Sequence, residues 1–168
     1  MLYTKLSKTL ALLCLMVFFY ACSSDSSTNP PTEFIASDSD FSNWMSWTMV
    51  AEKSGPDPAL GDAHSGNDNT VKRKIYIKQS NAQKGSNGQY PNGTIVVKQT
   101  VAQNGTEIMV VGMAKRGGSS FNTDHNGWEW FILNSNGSIK DRGDKLMNNM
   151  CNTCHSSVKS SKDYVFSK

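Results

Sequence analysis

The residues best equipped for chemistry lie near the end of the 168-residue chain, in the run Cys151-Asn152-Thr153-Cys154-His155. On a helix, thiols at i and i+3 share a face, and the imidazole follows at once. Thiols so placed can add to the vinyl groups along one edge of a porphyrin, while the histidine reaches the iron from the same element. The spacing therefore predicts one covalently attached haem c, with Cys151 and Cys154 as the attachment residues and His155 as the axial ligand. A zinc site would need four ligands, and no second Cys/His pair stands at suitable spacing. A thioredoxin-like redox motif would open a helix after a strand within a βαβ pattern, which is missing.

The sixth iron position is harder to fill. No methionine or histidine follows His155, so a distal ligand would have to come from upstream: His64, His125, Met109, Met113, Met147 or Met150. Met147 and Met150 read as core residues of the motif's own helix, and His64 and His125 sit in polar loops. An open or water-filled position is the expectation. It suits binding or oxidation of a small molecule better than plain electron carriage, which needs six-coordinate iron.

The start of the chain reads as an export signal. Lys5 and Lys8 precede the apolar run Leu10–Ala21, too short to span a bilayer comfortably, and Ala21-Cys22-Ser23-Ser24 looks like a lipoprotein cleavage site. The expected organisation is a signal peptide over 1–21, lipidation at Cys22, a flexible Ser/Asp/Thr/Pro-rich tether over 22–33, and one folded domain over 34–168. The body would then be periplasmic or held at the cell envelope, touching membrane only through its lipid. Formal net charge is +3, and both leader lysines contribute to it, so the body is nearly neutral. No basic stripe invites nucleic acid. Cys14 falls in the leader, which leaves the motif thiols as the cysteines of the body and no disulfide framework.

The elements that must position the motif are mostly strands. Phe41, Trp44, Met45 and Met49 recur at helical spacing, which predicts a helix over 41–49, and a long loop follows over 54–69. Lys74–Lys78, Thr94–Val101, Glu107–Ala114 and Trp128–Leu133 are β-branched or aromatic. Asn-Gly dipeptides at 87, 92, 104, 126 and 136 supply hairpin turns. Asp141 or Asp144 could cap a helix running through Met147, Met150 and Cys151 to about Val158. The fold class is mainly β (α+β): an antiparallel meander with an N-terminal helix and a C-terminal haem-attachment helix.

In this order, Trp44, Arg73-Lys-Ile-Tyr-Ile77, Tyr90-Pro-Asn-Gly-Thr-Ile-Val-Val-Lys98, Met113-Ala-Lys-Arg116, Gly127-Trp-Glu-Trp130 and the terminal CNTCHSS with Lys162-Asp-Tyr-Val-Phe166 resemble the cytochrome P-460 family. That family has the beta-sheet cytochromes c-prime as relatives. The resemblance implies a mostly antiparallel β fold, a homodimer, and a lysine bonded to the haem edge, which matches Lys98. It implies hydroxylamine or nitric oxide oxidation with electrons passing to a redox partner protein, or nitric oxide and carbon monoxide binding as in the c-prime relatives. Arg73 would donate a hydrogen bond to an iron-bound ligand and Phe121 would close the distal pocket. The family's distal carboxylate has no counterpart in Val111-Gly112-Met113, with Glu107 and Asp124 as the acids nearest in sequence.

Overall fold

The computed structural model describes residues 33–55, 70–80, 82–118 and 120–166. The expected leader, Cys22, most of the tether, most of the 54–69 loop and His64 lie outside the described residues. Among the described residues no helix is long and apolar enough to cross a membrane.

Six strands form one antiparallel sheet in chain order: β1 (Thr48–Ser54), β2 (Lys72–Ile77), β3 (Ile95–Val101), β4 (Glu107–Lys115), β5 (Trp128–Leu133) and β6 (Ile139–Gly143). This is the meander expected from the turn signals. At Asn104-Gly105, for instance, Gly105 has φ +83°, where an added Cβ would be strained.

The sheet buries both faces. On one, Ile95, Val97, Val110, Ala114, Phe131 and Leu133 are covered by Ala36, Phe41 and Trp44 from the N-terminal segment. On the other, Ile75, Ile77, Val96, Met113 and Trp130 pack with Leu146, Tyr164 and Val165 from the C-terminal segment. Alternation along each strand thus separates a structural face from a face given to the C-terminal motif.

Three elements differ from the sequence reading. The helix expected over 41–49 is a single turn, α1 (Asp38–Phe41), followed by a 3-10 turn at Trp44–Ser46. Ser37 and Asp40 close a capping box on α1. Asn43 then turns left-handed, φ 54°, which lets Phe41 and Trp44 reach the same sheet face. Phe41 lies 4.8 Å from Phe131, and Trp44 donates from Nε1 to the Ser135 carbonyl at 3.1 Å. Met45 and Met49 stay exposed, and Met49 belongs to β1, a strand the helical period had concealed.

β6 is the second difference. Asp141 is a strand residue rather than a helix cap, and Arg142 beside it grips Glu129 through two 2.8 Å bonds. The third is the motif helix, α2 (Met150–His155), which starts late. Met147, Asn148 and Asn149 all have left-handed φ, at 53°, 54° and 66°, so Met147 precedes the helix.

Gly112 is a point of close approach. A Cβ there would lie 2.9 Å from Phe41 Cε1 and 3.3 Å from Leu133 Cδ1. Gly112→Ala is therefore expected to destabilise the domain by about 1–3 kcal/mol through overpacking, read as a lower urea midpoint at unchanged slope.

Candidate functional site

Hydrogen-bond register sorts the C-terminal-facing side chains into rows. Ile75, Lys98, Val111 and Ile132 lie opposite one another across β2–β5, and the neighbouring row holds Ile77, Val96, Met113 and Trp130. Apart from Ile77, these rows form one wall of an apolar cavity of about 60 Å³ that opens toward solvent. Leu146, Met147, Cys151, His155, Val165 and Phe166 form the other wall. Lys98 is thus a cavity-wall residue, on the sheet face it shares with Val96 and Thr100. Its charge bears on both Cys151 and His155.

α2 is fixed by the residue between its cysteines. Asn152 is buried and uses its whole amide. Its Oδ1 accepts from Trp130 Nε1 at 2.7 Å and from Asn122 Nδ2 at 3.2 Å, while its Nδ2 donates to the Asp144 carbonyl and to Asn149 Oδ1, each at 2.7 Å. The motif is thereby tied to β5 and to its own approach turn.

His155 packs between Trp130 and Phe166, with ring centroids 4.6 and 5.0 Å away. Its Nδ1 donates to the Tyr164 carbonyl at 2.6 Å, because a carbonyl can only accept. The lone pair then sits on Nε2, the arrangement a metal-ligating histidine needs. Burial pushes the imidazole pKa down to about 4, so the ring is neutral at pH 7. Burial likewise pushes the Cys151 thiol up to about 11, which makes it a poor redox nucleophile.

The Tyr164 carbonyl is held in turn by the residue before it. Asp163, fully buried, pairs with the equally buried Lys115 at 3.1 Å, and also accepts from Tyr90 N at 2.8 Å and Asn126 Nδ2 at 2.7 Å. Burial pushes the Lys115 ammonium down from its ordinary range while the Asp163 carboxylate pulls it back up. Lys115 also sits over the Trp128 ring at 5.1 Å.

Other residues singled out in the sequence are dispersed. Met113 and Met147 line the cavity, whereas Met150 is exposed. His125 bonds to Asn122 Oδ1 and packs near Tyr164, away from the lining residues. Phe121 stacks on Arg116 at 4.1 Å and lines a separate polar cavity beside Lys115 and Gln89. Arg73 is buried on the same sheet face as Lys98, one row beyond it, and donates to the Gly55 carbonyl at 2.6 Å. Glu107 bonds to Gln99 and Ser135, and Asp124 accepts at its carbonyl from the Tyr164 hydroxyl. Neither acid lines the cavity, whose described lining residues include no carboxylate. Asn152, Asp163 and the Tyr164 carbonyl had no sequence signal for a role, since their parts depend on what packs against them.

The donor set suits haem c: Cys151 and a neutral His155 imidazole with its lone pair on Nε2 line an apolar cavity, and Cys154, half-buried, follows on the same short helix. Among the described residues no cluster of three or more His, Cys, Asp or Glu offers a metal an alternative. The family model described as Cytochrome P460 matches residues 41–167. No curated protein matches the chain.

Asp163→Ala would leave the Lys115 ammonium buried without its counter-charge. The expected cost is about 3–5 kcal/mol, a large part of a typical domain's stability, measured by guanidinium unfolding. Asn152→Ala, which strands the buried Trp130 indole donor, is expected to cost about 1–3 kcal/mol in the same measurement.

Proposed function

The chain belongs to the cytochrome P460 family, and on that premise we propose that it carries one haem c bound through Cys151 and Cys154, and that it oxidises hydroxylamine or nitric oxide. The observation that carries this reading is the cavity shared by Lys98, Cys151 and His155. Haem held there supplies an iron that takes up electrons singly and offers a coordination position to a small nitrogen-oxide ligand.

The chain's own residues have distinct tasks in this reading. His155 would hold the iron through Nε2, its tautomer set by the Tyr164 carbonyl. Lys98, on the cavity wall in β3, is the amine that would stand at the porphyrin edge and carry the third link that the family resemblance implies. The apolar wall of Ile75, Val96, Val111 and Ile132 limits water and favours small, weakly polar ligands. Arg73, one row beyond Lys98 and outside the cavity lining, would act on the bound ligand only through the field of its charge. Phe121, on a separate cavity, has no direct contact to offer the ligand there. Electrons leave to a redox partner protein. The chain is exported, anchored through Cys22 at the cell envelope, and works as a homodimer.

A second reading is favoured by one observation. Oxidation of either substrate releases protons along with electrons, yet no carboxylate stands among the cavity's described lining residues. Non-enzymatic binding of nitric oxide or carbon monoxide needs no proton acceptor.

Absorption of the reduced holoprotein, with mass analysis of its haem peptides, separates the two. The oxidase reading expects a red-shifted ferrous spectrum, a third link at Lys98, and at least a tenfold loss of turnover in Lys98→Arg. An ordinary five-coordinate ferrous spectrum with thioether links alone rejects it and leaves gas binding. In Cys151→Ser/Cys154→Ser with Lys98→Arg added, haem is expected to leave the chain under denaturing electrophoresis; retention would sink the attachment assignment.

A further inference from the structure

Arg73 and Thr100 stand directly opposite each other on β2 and β3, in the row next to Ile75 and Lys98 and on the same sheet face. Both are buried, at 4% and 1% exposure. The guanidinium is pinned by Nη2, which donates to the Gly55 carbonyl at 2.6 Å. Its Nε and Nη1, and the Thr100 hydroxyl oxygen, have no hydrogen-bond partner among the described residues. Cross-strand partners of this kind bring their side chains within reach of one shared ligand.

The charge around them has one sign. Lys53, opposite Arg73 on β1, reaches over the Phe166 ring at 6.0 Å, on the cavity side of the sheet. Its strand neighbour Glu52 pairs instead with Lys72. An arginine stays charged at any pH a protein tolerates, so burying one with idle donors is unfavourable unless an acceptor arrives. The acceptor best matched to a guanidinium and a hydroxyl is a small planar oxygen anion.

We propose that Arg73 and Thr100 form a two-residue subsite for an oxygen anion of carboxylate or nitrite type, one row beyond Lys98. This deepens the function proposed above and rests on that reading for its two sources of anion. One is a haem propionate, which lies across the ring from the thioether edge. The other is free nitrite, the oxyanion that oxidation of nitric oxide would leave.

The test uses the oxidised holoprotein in wild-type, Thr100→Val, Thr100→Ser and Arg73→Gln forms. Sodium nitrite is titrated by calorimetry, and the propionate bending mode is read by resonance Raman. A free-anion site gives nitrite binding that weakens at least tenfold in Thr100→Val and Arg73→Gln and returns in Thr100→Ser, with the propionate mode unmoved. A propionate site gives no nitrite binding there, and a propionate mode that shifts in Thr100→Val and Arg73→Gln but not in Thr100→Ser. An unmoved propionate mode, with nitrite either unbound or bound to iron equally in all four proteins, overturns the subsite and leaves water as the partner. Should Thr100→Val lose its fold, Arg73→Gln carries the same comparison. Absence of hydroxylamine turnover or of the Lys98 link in the wild-type holoprotein would count against the oxidase reading alone, because the titration reads binding.

Discussion

A buried carboxylate governs the geometry of the half of this protein that carries the CNTCH motif. Asp163 draws together Lys115 from β4, the Tyr90 amide and Asn126, and so fixes the chain that follows the motif helix. Its left-handed backbone, φ 47°, and that of Tyr164, φ 67°, turn the strap so that the Tyr164 carbonyl meets His155 Nδ1. Taken in isolation a buried ion pair adds little net stability, because desolvation offsets most of the attraction. Its value here is directional. The imidazole is aimed by a carbonyl, the carbonyl by a strap, and the strap by a charge that has nowhere else to go.

The second constraint is the pleat. Side chains alternate between faces, and this sheet assigns one face to the N-terminal cap and the other to the cavity. Lys98 and Val97 are neighbours in sequence but belong to different halves of the molecule. Polar groups on the cavity face cluster at one end, at Lys98, Arg73 and Thr100, while Val96, Met113 and Trp130 make the other end apolar. A wall so divided can hold a ring with an apolar body and an anionic edge in one orientation.

Much of this was legible in the residues. Four strands, the hairpin turns and the haem motif are local signals, written in β-branched runs, Asn-Gly pairs and the spacing of two thiols and an imidazole. Lys98 on the face of Val96 and Thr100 followed from alternation. The helix expected over 41–49 failed because Phe41 and Trp44 answer to a distant surface, Phe131 and the Ser135 carbonyl, and Asn43 breaks the turn so that both can reach it. β6 was hidden because Ile139-Lys-Asp-Arg-Gly143 is largely polar and is held by pairing with β5 and by Arg142 on Glu129. Asn152 and Asp163 were invisible for a related reason. A polar residue's burial is decided by its partners, and theirs come from across the chain.

The three left-handed residues Met147, Asn148 and Asn149 give the motif a joint of its own. An extra residue inside β3 would slip every side chain to the opposite face and take Lys98 out of the cavity. An extra residue at the joint would leave every row of the sheet in register and only re-aim the thiols. The architecture therefore separates two kinds of change. The wall is digital, correct or inverted, whereas the pose of the motif helix can be tuned by degrees.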